Sequence, residues 1–172
     1  MMTAIIAVCS WLSLPIMTVP VTLQTFAIFL TLLICSGRNG TVSILVFILL
    51  GLVGVPVFSG FKSGPSALFG PTGGYIIGFL VIGIIFYISE KLISESLKAK
   101  VISLIAGLIA CYTFGTLWFV TVYNAPDTSM DIKSAVSVCV LPFILPDLLK
   151  LALAVILYRI LKPSLEKTAK NV

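Results

Sequence analysis

An aspartate and a lysine lie one helical turn apart inside one of the most apolar segments of the chain. They are Asp147 and Lys150, in the stretch PFILPDLLKLALAVILYRI. Each would cost roughly 2.5 to 3.5 kcal/mol at the centre of a bilayer unless it faces a protein interior, a cavity or the other charge. Because the i to i+3 spacing puts both on one helical face, they can present an acceptor and a cationic donor side by side. A purely structural ion pair near the outer end of the helix is the alternative.

A second polar cluster lies where another apolar segment begins. The stretch VPVTLQTF, residues 19–26, contains Thr22, Gln24 and Thr25. In membrane helices such residues often only bond to neighbouring helices. Gln24 is the stronger candidate for a binding role, since its amide both donates and accepts hydrogen bonds and suits a neutral polar ligand. Thr22 is the second candidate in this cluster.

The stretch GPTGGY, residues 70–75, predicts a helix that begins without a side-chain cap. A glycine at the N-cap and a proline at the first helical position are typical of such a start. Free amides there, reinforced by the helix dipole, attract an acceptor or an anion. The predicted donors are the N–H groups of Thr72, Gly73 and Gly74.

Close helix packing is the alternative explanation for these glycines. Gly74 and Gly78 form a GxxxG pair, which suits contact with a neighbouring helix. The rotation of the helix decides which partner Gly74 faces. Tyr75 and Phe143 are adjacent to the polar groups in sequence, so we predict that they form walls of a pocket.

The segments that position these residues have the composition of an integral membrane protein. Of the 172 residues, 59% are hydrophobic and 10% are charged, and the mean hydropathy is +1.21. A soluble domain has about 45 to 50% apolar and about 25% charged residues. Since about 20 apolar residues cross a bilayer core, the chain has room for a single membrane domain of six helices. We predict an all-α fold with spans at residues 2–17, 19–36, 41–58, 71–89, 101–123 and 135–161.

Positive charge is distributed unevenly over the predicted connectors. With six alternating spans, eight of the eleven Lys and Arg residues lie on the side of the two termini, and only Lys62 and Lys133 lie on the other side. The positive-inside rule then predicts that both termini are cytoplasmic. The loops at 55–70 and 124–134 face outward and are candidates for a lid over a binding site.

Several classes of function are disfavoured by the composition. The chain has no histidine, and its four cysteines are more than twenty residues apart, so neither a metal site nor a redox pair is predicted. A GxxxxGK[ST] nucleotide-binding motif is absent. Scattered cations argue against nucleic acid as a partner. An enzyme using Asp147 and Lys150 as acid and base lacks an accompanying nucleophile or metal set, so we predict no catalysis and no cofactor.

Four stretches, in this order and at these separations, resemble the BioY family over roughly residues 4–160. They are VPVTLQTF, GLVGVPVFSG, GPTGGYIIGF and PFILPDLLK. BioY proteins are the biotin-binding substrate-capture (S) components of energy-coupling factor (ECF) transporters. The resemblance implies a six-helix fold in the plasma membrane of a prokaryotic cell. It also implies high-affinity capture of biotin near the extracellular side, under outer loops, for uptake into the cell.

The same resemblance implies protein partners, namely a coupling protein (T component) and two ATPase subunits. The coupling protein is expected to dock on the first helix. Ala4 and Ala7, with Ser10, form a narrow strip of small residues there, which suits close packing against another helix.

The chemistry of biotin matches the candidate residues. Asp147 is predicted to accept a hydrogen bond from a ureido N–H group, and Lys150 to donate to an oxygen. The carboxylate is assigned either to the amides of residues 72–74 or to Lys62, and the sequence does not order these choices. An S component or transporter for another small vitamin, a membrane-embedded enzyme and a passive assembly protein are the alternatives.

Overall fold

The chain is helical in every long element of its structure, which is a computed structural model. The structure describes residues 1–14, 21–123 and 131–170. Two short strands, β1 (Ser13–Leu14) and β2 (Val21–Thr22), pair antiparallel after the first helix. The α-helices in the described part are α1 (Met2–Trp11), α2 (Gln24–Val53), α3 (Pro65–Leu68), α4 (Gly73–Leu92), α5 (Leu97–Tyr123), α6 (Ile132–Cys139) and α7 (Leu141–Lys170).

Helix α2 is a helical hairpin with its turn at Ser36. That residue leaves the helical conformation, with φ 63° and ψ 165°. Gly40 lies directly against Leu32, since a Cβ added to Gly40 would come within 2.8 Å of the leucine side chain. Residues 32 and 40 are equally distant from residue 36 along the chain, so their contact requires the chain to reverse there. The predicted spans 19–36 and 41–58 correspond to the two arms, 24–35 and 37–53.

Four helical segments of the described chain are long and apolar enough to cross a membrane. They are Gln24–Val53, Gly73–Leu92, Leu97–Val122 and Ile132–Pro163. Helix α1 is apolar but has only 10 residues. With the two arms of α2 counted separately, α6 counted with α7 and the four-residue α3 left out, the described part has six helical units, the number predicted. Residues 15–17 and 19–20 of the first two predicted spans lie outside the described residues.

The last predicted span, 135–161, is not one continuous helix. Helix α6 ends at Cys139 and α7 begins at Leu141, and Val140 between them has φ −121° and ψ −58°. Pro142 lies in the first turn of α7, where its missing N–H group leaves no helical hydrogen bond unmade. The break places the start of α7 and its Asp147 beside α2 and α5.

Helices α4 and α5 pack closely through the GxxxG pair. A Cβ added to Gly74 would lie 2.3 Å from the Trp118 Cβ, and one added to Gly78 would lie 2.6 Å from the Cys111 Sγ. Both glycines therefore face α5, so the packing explanation of the GxxxG pair is correct. This contact holds the start of α4 against the middle of α5, where the candidate site lies.

A buried polar cluster joins the turn of α2 to the opposite end of α4. Glu90 forms an ion pair with Lys100 of α5, at 2.9 Å. Its second carboxylate oxygen accepts a hydrogen bond from the backbone N–H of Gly37, at 2.6 Å. Glu90 lies fifteen residues after Tyr75 on the same helix, which corresponds to about 22 Å at 1.5 Å per residue. The cluster therefore closes the bundle at the end away from the candidate site.

Candidate functional site

A cavity of about 470 Å³ lies between the first arm of α2, the start of α4, the middle of α5 and the start of α7. Phe58, Ser59 and Lys62, from the loop between α2 and α3, also contribute to its lining. The lining is mainly apolar and aromatic. Its charged and amide groups are few, which is the usual character of a site for a small organic ligand.

The ion pair predicted from the sequence forms one end of this cavity. The Lys150 Nζ lies 2.8 Å from the Asp147 Oδ1, and only 7% and 3% of the two residues are exposed. The Thr25 hydroxyl donates to the same Oδ1 at 2.8 Å and accepts a hydrogen bond from the lysine at 3.1 Å. A threonine from α2 therefore ties together the two charged groups of α7, and all three line the cavity.

A tyrosine from α5 completes the surroundings of the aspartate. The Tyr112 hydroxyl donates to the Asp147 Oδ2 at 2.6 Å. With Thr25 and Lys150 on the other oxygen, the carboxylate accepts three hydrogen bonds from three helices. A carboxylate has about four acceptor positions, and an ammonium has three donors. These bonds leave about one acceptor position on Asp147 and one N–H on Lys150 available to a ligand.

Gln24 adds an unused donor to the cavity. It is 5% exposed and lines the cavity, and its Nε2 has no hydrogen-bond partner among the residues that the structure describes. A buried amide without a partner costs roughly 1 to 3 kcal/mol in stability. A ligand could supply the missing acceptor, and Gln24 stays a predicted binding residue.

The walls of the cavity are apolar and aromatic. Tyr75 and Phe143, predicted as walls, both line it, together with Phe79. The Tyr75 hydroxyl is 3.0 Å from the Thr116 Oγ1, which holds the ring in place. Cys111 also lines the cavity as a buried free thiol. Among the described residues, no group of three or more His, Cys, Asp or Glu side chains is arranged to hold a metal ion.

The other end of the cavity is an exposed mouth. Thr72 and Lys62, both predicted, lie there with Ser66, and all three are exposed. Thr22, also predicted, lines the cavity and is half-buried. Lys62 is the one cation among the described lining residues apart from Lys150.

The loop at the mouth is tied to α1. The Trp11 indole donates to the Pro56 carbonyl at 2.9 Å and stacks on Phe61, with ring centroids 5.1 Å apart. The Ser10 hydroxyl donates to the Val57 carbonyl. This loop belongs to the predicted lid at 55–70. Of the second predicted lid, 124–134, residues 124–130 lie outside the described residues.

Two predicted ligand contacts are absent, because Gly73 and Gly74 do not line the cavity. Helix α4 begins at Gly73 rather than at Pro71. The Gly73 N–H donates to the Gly70 carbonyl at 3.0 Å, so it is not free. A Cβ on Gly73 would meet the Leu68 carbonyl oxygen, and one on Gly74 would meet Trp118. Tight packing on both sides therefore occupies the space in which a ligand would have approached.

The strip of small residues on α1 is also divided. Ala4 is exposed, whereas Ala7 is 6% exposed and packs in the core, and Ser10 is buried. The two alanines are three residues apart, which is 300° of rotation, and the bundle covers Ala7. Only Ala4 of the predicted pair is available at the surface.

Two residues of the cavity were not given a binding role from the sequence. They are Thr25, which was noted only as part of the polar cluster at residues 19–26, and Tyr112. Thr25 lies next to Gln24 and faces α7 rather than lipid. Tyr112 stands in a long apolar run, CYTFGTLWF, where a tyrosine is usually an interfacial or packing residue. Its contact with Asp147 joins residues 35 apart in sequence, so only the packing of α5 on α7 reveals it.

Apolar helices long enough to cross a membrane, around an apolar cavity that ends in a buried ion pair, define a membrane protein with a site suited to a small molecule. The chain matches the model of the BioY family over residues 1–167, and it belongs to that family. The prediction of family from the four sequence stretches is confirmed.

Named relatives match over most of their length. The chain is 40% identical to the biotin transporter BioY of Thermotoga maritima, covering 90% of this chain and 88% of the relative. It is 37% identical to the biotin transporter BioY2 of Lactococcus lactis subsp. cremoris, covering 97% of this chain and 89% of the relative.

A solved structure has the same fold. It is the crystal structure of the S-component for biotin from an ECF-type ABC transporter, with a TM-score of 0.79 and 30% identity, covering 94% of this chain and 87% of that chain. Both kinds of comparison relate the chain to transport proteins.

Proposed function

We propose that this protein is the biotin-binding S component of an ECF-type transporter, which captures biotin from outside the cell for uptake. The observation that carries the proposal is the buried polar end of the cavity. There Asp147, Lys150, Thr25 and Tyr112 form one hydrogen-bonded cluster beside the unpartnered amide of Gln24. The family and the biotin transporters among its relatives support the same ligand.

The free hydrogen-bonding positions match a cyclic urea. The ureido ring of biotin has two N–H donors and one carbonyl acceptor. The remaining acceptor position of Asp147 takes one ureido N–H, and the Lys150 ammonium and the Gln24 amide donate to the carbonyl oxygen. Because the cluster is buried and already bonded on three sides, it is preorganised for this pattern and loses little freedom on binding.

The apolar part of the ligand fits the middle of the cavity. Phe79, Phe143 and Tyr75 surround the space between the polar end and the mouth, and the thioether ring and the alkyl chain lie there. The carboxylate then reaches the mouth, where Lys62 and Thr72 are exposed. Of the two donor sets considered for the carboxylate, Lys62 is favoured, because the Gly73 amide is already engaged.

The mouth faces outward and both termini are cytoplasmic in this proposal. The excess of Lys and Arg on the side of the termini supports that orientation by the positive-inside rule. The protein would lie in the plasma membrane of a prokaryotic cell as a single membrane domain. The ligand would enter at the mouth, where the exposed lining residues Lys62, Ser66 and Thr72 lie.

The sequence has no nucleotide-binding loop of its own, so the energy for transport comes from ATPase subunits or from a gradient, and the family favours ATPase subunits. A T component and two ATPase subunits would supply the energy, with α1 as the docking helix and Ala4 on its exposed face. Docking on α1 also offers a route to release, since Ser10 and Trp11 hold the loop at the mouth.

Binding of biotin to the purified protein in detergent tests the proposed function. Titration calorimetry should give a dissociation constant below about 1 μM, with one ligand per chain. The variants that test the assigned roles are Asp147→Asn and Lys150→Ala, and each should lower the affinity for biotin at least a hundredfold. Near-parental affinity in both variants would reject the assigned roles, and no binding of biotin to the parent protein would reject the function.

A further inference from the structure

The two ends of the cavity differ in how much they can contribute to affinity. At the polar end, Asp147 and Lys150 are 3% and 7% exposed and every charge has a partner. At the mouth, Lys62, Ser66 and Thr72 are exposed. Electrostatic interactions are much stronger in a buried environment than next to solvent. Recognition is therefore concentrated at the end that holds the cyclic urea.

Lys62 is a weak anchor for a carboxylate. Its backbone is held in the loop, where its carbonyl accepts a hydrogen bond from the Phe58 N–H at 3.1 Å, but its side chain is exposed. Exposed ion pairs contribute only about 0 to 1 kcal/mol, which corresponds to a factor of at most about five in affinity. Loss of the negative charge on the ligand should therefore change binding little.

The other polar groups of the mouth do not require an anion. Ser66 and Thr72 have hydroxyls, and a hydroxyl both donates and accepts hydrogen bonds. They can bind the N–H and the carbonyl of an amide as well as the oxygens of a carboxylate. An amide substituent leaving the mouth would also enter solvent rather than the protein.

We propose that the substrates of this protein include amides of biotin, in which the carboxylate is joined to a primary amine, as in biotinyl-lysine. The inference rests on the proposed function, because it assumes that the ureido ring occupies the buried end. It extends the substrate class from the free acid to molecules that keep the ring system and the alkyl chain but have no carboxylate.

The first test compares three ligands on the purified full chain in detergent. The probes are biotin, its unsubstituted primary amide and biotinyl-lysine, each titrated by calorimetry under identical conditions. We expect both amides to bind within about fivefold of biotin. A loss of more than a hundredfold for the primary amide, with biotin still bound, would overturn the inference and leave the proposed function standing. If biotin and its primary amide bind but biotinyl-lysine does not, the mouth does not admit a substituent on the amide. Conjugates of biotin would then not be substrates.

The second test changes the charge at the mouth. Lys62→Glu should lower the affinity for biotin by about tenfold, because the attraction between residue 62 and the biotin carboxylate is replaced by repulsion. The affinity for the primary amide, which has no charge, should stay within about twofold. The matched control is Lys133→Glu, an exposed lysine on α6 that does not line the cavity. It should leave the ratio of the two affinities unchanged. A loss of biotin affinity of more than a hundredfold in Lys62→Glu, with the affinity for the amide unchanged, would show that Lys62 is a strong anchor for the carboxylate, contrary to the proposal.

Discussion

The Tyr112 hydroxyl of α5 donates to the Asp147 carboxylate of α7 at 2.6 Å, on the oxygen opposite the one that Thr25 and Lys150 occupy. A hydrogen bond to a charged group contributes about 1.5 to 3 kcal/mol. Here it also selects the direction in which the remaining acceptor position points. We therefore expect Tyr112 to act as a positioning residue, which affects a ligand through the aspartate.

Tyr112→Phe should lower the affinity for biotin by about tenfold, because the ring stays in place while the carboxylate loses its orienting donor. Calorimetry measures the change. Thr113→Val is the control on the same helix, since the Thr113 hydroxyl is exposed and bonds only to the Ile109 carbonyl of its own turn. It should bind biotin normally.

A double-mutant cycle separates this role from a general effect on packing. If Tyr112 acts through Asp147, its substitution should have little further effect in an Asp147→Asn background. Fully additive losses in the two variants would contradict the positioning role.

Removal of the Gln24 amide should have opposite effects on stability and on binding. In Gln24→Leu the unpartnered Nε2 is lost, so the free energy of unfolding of the ligand-free protein should stay the same or rise by about 1 kcal/mol. The affinity for biotin should fall about tenfold, because the carbonyl of the ligand loses a donor. Thermal unfolding and calorimetry on the same preparation report the two quantities.

Thr31→Val is the matched control for this substitution. The Thr31 hydroxyl is the other buried side-chain group without a partner among the described residues, and it does not line the cavity. Its replacement should leave the affinity unchanged. If Gln24→Leu destabilised the protein and left binding intact, the amide would have a structural role only.

The Asp147–Lys150 pair should respond to single and double substitution differently. Lys150→Met leaves a buried carboxylate without its cation and should lower the free energy of unfolding by about 3 to 5 kcal/mol. Asp147→Asn combined with Lys150→Met removes both charges and should recover much of that loss. Neither variant should bind biotin. Recovery of binding along with stability would mean that the pair is structural.

The inner cluster should affect stability without affecting binding. Glu90→Gln removes the charge that pairs with Lys100 and weakens the bond to the Gly37 amide, so it should lower the free energy of unfolding by about 2 to 3 kcal/mol. The affinity should remain within about twofold, since the cluster lies about 22 Å along α4 from the site. Glu95→Gln, at an exposed glutamate in the connector between α4 and α5, should change neither quantity. A large loss of affinity in Glu90→Gln would indicate coupling between the two ends.

The sequence alone determined the features that depend on composition and local pattern. A mean hydropathy of +1.21 requires a membrane environment, and charged residues within an apolar segment require a partner or a cavity. The i to i+3 spacing placed Asp147 and Lys150 on one face, and four short stretches were enough to identify the family. These conclusions need only neighbours in sequence and the cost of burying charge.

The tertiary structure decided which faces meet. Gly74 could face a ligand or a helix, and only the rotation of α4 against Trp118 turned it to packing. Ala4 and Ala7 looked equivalent in sequence, yet the bundle buries one of them. Tyr112 and Thr25 lie 35 and 122 positions from Asp147 in the sequence. They join the candidate site because the packing of three helices brings their side chains within hydrogen-bonding distance of the aspartate. Contacts of that range depend on how whole helices pack, which no local pattern encodes.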